Sequence, residues 1–368
     1  MSRLAIIDLG TTSVGLALVQ RPGGKIIFSD RVEAPFAAAG VDPARFMAAI
    51  ITALKEVLNR SLKSAPGAPE EVVCFLSGPF YASATRIIKK SDPKKLIISP
   101  ETINSWVEEG APALPANHEW LEDAVLELLA NGYPITRPSR QVAEEVELYH
   151  FTSYAPEEVL AQLRQVIIGA FHHEKISFHS FVYALYRSLG QCVPHERNLL
   201  LLDLGGELAE LSLVWHGVLR ETVSFPEGRN WLIRRVAAAN QTTPAEAYSA
   251  LKLLASNERQ PGDERLVQAL AAAKEEWTAK FKQALDQVLQ SCFIPERILS
   301  FGDPALVPIY QNWLEGLEHL APTLGNRHFK SAHLTEAALD KFCDQAATVR
   351  RDFSLMVEAV FCDTLKTN

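Results

Sequence analysis

Two short segments of the chain share one pattern of apolar and polar positions. In the first, the apolar run Leu4–Ile7 ends on Asp8, and a turn of small residues at 10–13 leads into a second apolar run. In the second, Leu199–Leu202 lead into Asp203-Leu204-Gly205-Gly206 and a further apolar run. Each segment predicts two strands joined by a tight turn. Because the two units lie about half a chain apart, they predict a duplicated fold with a cleft between its halves.

The segments after each hairpin predict alternating strands and helices. In the first half we expect a strand over 25–32, a helix over 43–62 and a short buried strand over 72–76. In the second half the predicted strands are 220–225 and 298–302, and the predicted helices are 230–239, one capped by Thr243, 264–291 and 306–317. A loop is expected over 255–265. The chain from Thr335 onward is predicted to be helical.

Between about 81 and 155 the character of the sequence changes. A strand near 85–88 leads through a polar stretch to 96–98, and Ser99-Pro100 supplies an N-cap and a first helical residue. Two strands follow over 124–129 and 143–151, separated by a turn-rich stretch that contains Asn131-Gly132. This segment therefore predicts a small strand-helix-strand-strand module inserted into the first half.

Composition and charge narrow the class of protein. The chain has 368 residues, of which 48% are hydrophobic and 22% charged, and this is long enough for two domains with buried cores. Its net charge of −8 argues against non-specific nucleic-acid binding, which needs a basic surface. The five cysteines are scattered without a CxxC pair, which favours a reducing compartment and no zinc site. With no signal peptide and no apolar run near the roughly 20 residues that cross a bilayer, we expect a cytoplasmic protein, at most peripheral at the inner membrane.

The two hairpins and the order of the later segments resemble the superfamily of actin, sugar-kinase and heat-shock-chaperone ATPases. Within it, the order looks most like FtsA, the actin-like bacterial cell-division protein, and its relative PilM of type IV pili. The resemblance implies an α/β fold in which two duplicated actin-like (ribonuclease H-like) domains surround a nucleotide cleft. The implied first domain is 1–80 with 156–190, the inserted FtsA-type subdomain is 81–155, and the second domain is 191–368 with a helical subdomain at about 228–295.

The resemblance also implies a site for ATP and Mg²⁺. Asp8 and Asp203, at the ends of strands facing the cleft, would hold the metal, since Mg²⁺ accepts a few carboxylates and keeps several waters. Small turn residues would cradle the phosphates. Alone, each aspartate is better explained as a turn cap, but the matched pair favours a nucleotide site. The nucleotide-binding residues implied are Asp8, Gly10, Thr11, Thr12, Ser13, Asp203, Gly205, Gly206, Gly228 and Gly302.

The chain departs from the family pattern at several of these positions. Relatives carry a Gly-Gly-Gly-Thr type of second turn, where this chain has Glu207-Leu208 after the two glycines. A Glu207 carboxylate that faced the phosphates would repel them. The later Gly-Gly pair keeps only Gly302, and the Ala-Glu-x-x-Lys adenine contact is poorly kept. We therefore expect weak or conditional ATP binding and, at most, slow hydrolysis.

Functions from different classes are compatible with this sequence. The preferred hypothesis is an actin-like scaffold resembling FtsA, which assembles with itself or with partners at the inner membrane face in cell division. A PilM-like scaffold of pilus assembly and a nucleotide-free docking platform are alternatives. A small-molecule kinase of the same superfamily is the enzymatic alternative, but no catalytic base is evident beyond Asp203. The inserted subdomain is expected to contact subunits or partners. The apolar face of the last helix, 353–361, is expected to pack on the core, with attachment to a membrane surface as the alternative.

Overall fold

The computed structural model describes residues 2–21, 23–34, 42–64, 67–138, 141–256, 264–289, 293–317 and 328–365. Cys292, the end of the helix predicted over 264–291 and the middle of the loop predicted over 255–265 lie outside the described residues. In chain order the strands are β1 (Ser2–Leu9), β2 (Ser13–Arg21), β3 (Lys25–Glu33), β4 (Glu71–Leu76), β5 (Ala82–Ile98), β6 (His118–Ala130), β7 (Tyr133–Pro134), β8 (Gln141–Pro156), β9 (Ile176–Ser180), β10 (Leu199–Leu204), β11 (Ala209–Trp215), β12 (Val218–Phe225), β13 (Arg297–Gly302) and β14 (Lys330–His333). The helices are α1 (Pro43–Ser64), α2 (Pro100–Gly110), α3 (Glu157–Phe171), α4 (Phe181–Cys192), α5 (Arg229–Asn240), α6 (Pro244–Ala255), α7 (Glu264–Leu289), α8 (Val307–Glu315) and α9 (Phe353–Thr364), with a short 3-10 helix at Glu336–Leu339.

Two five-stranded sheets with the same strand order form the two halves of the molecule. The first has the order β3-β2-β1-β4-β9, and the second has the order β12-β11-β10-β13-β14. In each sheet the hairpin strands pair antiparallel, and the two strands that follow join in parallel. The predicted duplication is therefore confirmed at the level of sheet topology.

The first strand of each half is buried on both faces, which explains its unbroken apolar run. Along β1, Leu4 and Ile6 face one hydrophobic cluster, whereas Ala5, Ile7 and Leu9 face another. The leucines of β10 divide in the same alternating way, and one of their two sets joins the cluster that contains Leu4. Side chains of α4 and α9 complete that shared cluster. A single central core therefore connects the two halves behind the hairpin turns.

The predicted inserted module is present between β4 and α3. Its strands form a sheet of order β5-β8-β6-β7 with α2 on one face, and the Ser99 hydroxyl accepts a hydrogen bond from the Thr102 amide as the N-cap. The strands are longer than predicted, because β5 continues through the polar stretch with an irregularity between Ser91 and Leu96. The buried Glu122 carboxylate ties the module to the first sheet, since it accepts hydrogen bonds from the amide and the hydroxyl of Ser180 in β9, at 3.0 and 2.7 Å.

The prediction of a wholly helical C-terminal region is wrong for the residues between the 3-10 helix and α9. The backbone of this segment instead bonds to the edge strand β3, where the Ile26 amide donates to the Asp344 carbonyl and the Ala346 amide donates to the Ile26 carbonyl, both at 2.9 Å. Unpaired backbone groups of an edge strand favour such pairing. The helix α9 then enters the central core, as its apolar face predicted. None of the described helices combines the length and the apolar content needed to cross a bilayer.

Replacement of Trp277 by alanine tests the core of the second half. Trp277 of α7 is fully buried, stacks on Phe281 with ring centroids 5.2 Å apart and contacts Tyr310 and Trp313. Because its removal leaves a large cavity, we expect Trp277→Ala to lower the free energy of unfolding by about 3–5 kcal/mol in a denaturant titration. The exposed Leu253→Ala serves as the control and should change it by about 0.5 kcal/mol or less. Equal effects of the two variants would contradict this packing.

Candidate functional site

A cleft of 380 Å³ lies between the turns that follow β1 and β10. Every predicted nucleotide-binding residue except Gly228 lines it. Gly228 lies behind the second turn, where its amide donates to the Glu207 carbonyl at 3.2 Å and an added Cβ would lie 2.7 Å from the Gly206 carbonyl oxygen. The charged residues that also line the cleft are Arg31, Glu33, Glu210, Arg229, Asp303, Glu336, Arg350, Arg351 and Asp352.

The strand registers place related rows of residues beneath the two turns. In the first sheet, Asp8 pairs with Gly15 of β2, which in turn pairs with Arg31 of β3. In the second sheet, Asp203 occupies the equivalent place and pairs with Glu210, which pairs with Ser224. The duplicated halves therefore present the same aspartate position with different neighbours, and only the first row contains a cation.

Asp8 is held by an arginine on its own sheet. Nη2 of Arg31 lies 2.6 Å from Oδ2 of Asp8, and its Nη1 donates to the Ser13 hydroxyl at 2.9 Å. Nε and Nη2 of Arg31 also donate to the two carboxylate oxygens of Asp352, at 2.6 and 2.9 Å. Burial acts to raise the pKa of Asp352, but Arg31 outweighs it and lowers that pKa. Burial raises the pKa of Asp8, and Arg31 opposes this shift.

Asp203 has different surroundings across the cleft. No hydrogen bond joins its carboxyl group to any side chain in the described part of the chain, and its neighbour Glu210 accepts a hydrogen bond from the Tyr81 hydroxyl at 2.9 Å. Burial raises the pKa of Asp203 well above its ordinary value, and the carboxylates of Glu210 and Asp8 raise it further. The surroundings of Asp203 therefore favour its neutral form, whereas Asp8 is paired with the guanidinium of Arg31.

The two turns contact each other directly across the cleft. The Glu207 amide donates to the Thr11 hydroxyl at 2.8 Å, and a Cβ added at Gly206 would overlap the side chain of Thr12. Backbone amides of the second turn and hydroxyls of the first are the groups expected to bind phosphate. In this arrangement, one amide of the second turn and one hydroxyl of the first bond to each other.

The Glu207 carboxylate points away from the cleft. It accepts hydrogen bonds from Asn230 Nδ2 at 2.8 Å and from both terminal nitrogens of Arg234, at 3.1 and 2.8 Å. Glu207 therefore does not face the position of a phosphate, and the repulsion considered from the sequence does not arise in this arrangement. Glu207, which stands where relatives have a glycine, instead has a structural role, because its carboxylate holds the second turn against α5.

Arg229 bridges the far end of the cleft. Its Nη2 lies 3.3 Å from both the Thr12 hydroxyl and the Glu33 carboxylate, and its Nη1 lies 3.4 Å from Asp303. Asp303 also accepts a hydrogen bond from the Tyr248 hydroxyl at 3.0 Å. A cation of the second half therefore binds residues of the first half and closes this end of the cleft.

Comparison with known proteins identifies the fold. No protein-family model matches the chain, and no curated protein is detectably similar to it in sequence. Among solved structures, it is similar to a chain of a "PilM-PilN type IV pilus biogenesis complex", with a TM-score of 0.63, 14% identity and 98% of each chain covered. The chain has an actin-like ATPase fold.

Two further solved structures are similar at lower TM-scores. The ethanolamine utilization protein EutJ from Carboxydothermus hydrogenoformans has a TM-score of 0.47 and 11% identity, over 98% of this chain and 89% of that one. A Bacteroides thetaiotaomicron protein with an actin-like ATPase fold and unknown function has a TM-score of 0.44 and 7% identity, over 97% of this chain and 95% of that one. At 14% identity, the similarity to the chain of the PilM-PilN complex establishes the fold and not the function.

The actin-like cleft as built does not fit a magnesium ion at Asp8. The Arg31 guanidinium already lies 2.6 Å from the Asp8 carboxylate and compensates its charge, so a Mg²⁺ ion bound there would be repelled by a like charge at close range. Within the described ranges, no group of three or more His, Cys, Asp or Glu side chains is arranged to hold a metal ion. Asp203 remains available as a single carboxyl group.

Glycine at position 302 has a structural role in this fold. Gly302 has a φ of 145°, and an added Cβ would lie 2.6 Å from the Leu204 carbonyl oxygen. The close approach of β13 to β10 therefore requires a glycine whether or not a nucleotide binds. Gly302 lines the cleft, but its backbone conformation explains the need for glycine without a ligand.

Several residues at the site were missed by sequence reasoning. Arg31, Arg229 and Asp352 were not singled out. One signal was available for Arg31, because Gly15 interrupts an apolar strand and predicts a close approach at that point. No comparable signal marked Asp352, which is 321 residues away from Arg31 in the sequence.

Replacement of Gly206 by alanine tests the contact between the turns. An alanine Cβ would overlap the short β-branched side chain of Thr12, which cannot move without its backbone. We expect Gly206→Ala to lower the free energy of unfolding by about 1–3 kcal/mol in a denaturant titration. Gly190→Ala in α4, where an added Cβ meets nothing within 4 Å, is the control and should be neutral or stabilising. If both variants behave alike, the turns are not in contact.

The raised pKa of Asp203 predicts a pH-dependent effect of Asp203→Asn. At a pH below the unfolded-state value of about 4, both states carry the proton and the substitution changes little. As the pH rises, the unfolded state ionises first, so the wild type loses stability until the pH passes the folded-state pKa. We therefore expect Asp203→Asn to be more stable than the wild type at pH 7, with a difference that shrinks toward pH 4.

Urea unfolding at several pH values measures this difference. The exposed Glu108→Gln on α2 is the control, because it removes a carboxylate that lies outside the cleft. A wild type that is more stable than Asp203→Asn at pH 7 would show that Asp203 is ionised and stabilised in the folded protein.

Proposed function

We propose that this protein is an actin-like scaffold that acts by assembling with protein partners, in the manner of PilM in its complex with PilN. The observation that carries the proposal is that groups expected to bind nucleotide already have partners in the cleft: Thr11 bonds to the Glu207 amide, Thr12 to Arg229 and Asp8 to Arg31. The similarity to PilM over nearly the whole chain supports the class of partner, a protein of pilus-type assembly at the inner membrane face. The sequence resemblance to FtsA keeps cell division as the alternative process.

ATP binding in this proposal is weak and conditional. A nucleotide phosphate must displace the bond between the Glu207 amide and the Thr11 hydroxyl, and must compete with Thr12 for Arg229. Nucleotide then binds only the fraction of molecules in which the two turns have separated, so its apparent affinity is reduced by that fraction. A partner that separates the turns would raise the affinity for ATP by the same coupling.

A small-molecule kinase fits the cleft less well. Such an enzyme needs an ionised carboxylate that faces its substrate as a general base. Asp8 is bonded to Arg31, and the pKa of Asp203 is raised well above its ordinary value by burial and neighbouring carboxylates. Neither aspartate is therefore prepared for this role at neutral pH.

Thermal unfolding with ATP tests the conditional binding. A ligand at 100 times its dissociation constant stabilises a protein by about 2.7 kcal/mol, whereas weak binding gives much less. We expect millimolar ATP to shift the Tm of the isolated protein by about 1 °C or less. A shift of many degrees would contradict the proposal that hydrogen bonds within the cleft oppose nucleotide binding. It would show that the isolated protein binds ATP tightly.

Affinity purification from the native cell tests the scaffold role. We expect the tagged protein to recover an inner-membrane assembly protein as a stoichiometric complex, confirmed by co-expression and native mass spectrometry. Recovery of division proteins in the same way would select the FtsA-like alternative. Turnover of a small molecule with no stable protein partner would overturn the scaffold proposal.

A further inference from the structure

The position of Arg31 follows from a row of three residues across the first sheet. Asp8, Gly15 and Arg31 are paired in sequence on β1, β2 and β3. Arg31 and Asp8 are therefore two strands apart, roughly 10 Å between their backbones. To reach the Asp8 carboxylate, the Arg31 side chain must lie across the middle residue of the row.

Gly15 makes this path available. An added Cβ at Gly15 would lie 2.7 Å from Nη2 and 3.0 Å from Cζ of Arg31. Glycine inside a strand weakens it, and it is tolerated where another group must approach the backbone closely. The apolar strand β2 therefore has a glycine at the one point where the guanidinium of Arg31 crosses it.

The guanidinium is bound by two carboxylates from distant parts of the chain. Asp8 at the end of β1 and Asp352 before α9 both lie at 2.6 Å, and the side chains are 5% and 18% exposed. A third carboxyl group, that of Glu358, is fully buried beside Asp8. Burial and the charge of Asp8 raise the pKa of Glu358 well above its ordinary value, which favours its neutral form.

We propose that Arg31 is a built-in cation that takes the place of a divalent metal ion at Asp8. The planar guanidinium supplies the positive charge that the carboxylates of Asp8 and Asp352 would otherwise take from a metal, and its N–H groups donate hydrogen bonds in place of metal–oxygen bonds. The arrangement of the cleft then does not depend on magnesium. This inference does not require the proposed scaffold role, and it is tested without nucleotide or partner.

The second half of the molecule supports the assignment by contrast. There the equivalent row is Asp203, Glu210 and Ser224, with no cation, and hydroxyl groups of Tyr81 and Ser224 bond to the middle carboxyl group. Burial raises the pKa values of both acidic groups of that row, which favours their neutral forms. The third position of the row is Arg31 in the first half and Ser224 in the second. The duplicated fold itself therefore does not require an arginine at this position.

Replacement of Arg31 by alanine should convert the position into a divalent-cation site. The vacated space would be bordered by the carboxylates of Asp8 and Asp352, which are hard oxygen ligands suited to Mg²⁺ or Mn²⁺. We expect Arg31→Ala to lower the Tm by at least about 3 °C in a chelator, because it leaves two buried carboxylates unpaired. Millimolar Mn²⁺ or Mg²⁺ at matched ionic strength should restore at least half of the lost Tm. The wild type should respond by less than about 1 °C.

Two further variants separate a metal site from general salt stabilisation. Arg21→Ala breaks another partly buried ion pair on the same sheet, that of Arg21 with Glu71 at 2.7 Å, and its Tm should fall without recovery in metal. The double variant Arg31→Ala with Asp8→Asn should recover part of the Tm without metal and lose the metal response. Electron paramagnetic resonance should detect bound Mn²⁺ in Arg31→Ala and not in the wild type.

The opposite results would overturn the proposal. These are a wild-type protein that binds Mn²⁺ at a site lost in Asp8→Asn, or an Arg31→Ala variant that folds but neither loses stability nor responds to metal. If Arg31→Ala does not fold, the wild-type Mn²⁺ measurement decides, together with Arg31→Lys. Lysine keeps the charge without the planar fork, so we expect an intermediate Tm and no bound Mn²⁺.

Discussion

The ion pairs of Arg31 are the interaction on which the arrangement of the cleft depends. One guanidinium binds Asp8 at the end of the first strand, Ser13 at the start of the second, and Asp352 at the entrance to the last helix. These groups come from the beginning and the end of the chain. Removal of Arg31 would leave two buried carboxylates unpaired, which is far more costly than the modest net gain of forming such a pair. The network therefore specifies one arrangement more than it stabilises the fold.

The central hydrophobic core makes this network possible. Side chains of β1 and β10 belong to one cluster, which apolar residues of α9 complete. Because α9 is anchored there, its N-cap residue Asp352 is brought to the cleft, where its side chain also accepts a hydrogen bond from the Leu355 amide at 3.2 Å. The same packing buries Glu358 beside Asp8 and Asp352. The C-terminal segment is therefore part of the candidate site.

The cleft satisfies its own polar groups, and this has a consequence for function. A cleft that binds a phosphate readily has amides and hydroxyls that are not bonded to other protein groups. Here the Glu207 amide bonds to Thr11, and Arg229 bonds to Thr12, Glu33 and Asp303. A ligand gains only the difference between its own bonds and those that it replaces, since buried polar groups are costly only when they are left unpaired. A scaffold that does not need a nucleotide to hold its shape is consistent with such a cleft.

The sequence alone determined the sheets, the inserted module and the position of the cleft. Apolar runs that end on Asp8 and Asp203, and the turn residues after them, depend on neighbours close in the chain, and such patterns can be read locally. The partners of those aspartates could not be read in the same way. The approach of Arg31 over Gly15 follows from strand register, and the contribution of Asp352 follows from the return of the C-terminal segment to the first sheet. Tertiary structure decided these contacts, because hydrogen bonds between residues hundreds of positions apart leave no periodic signal in the sequence.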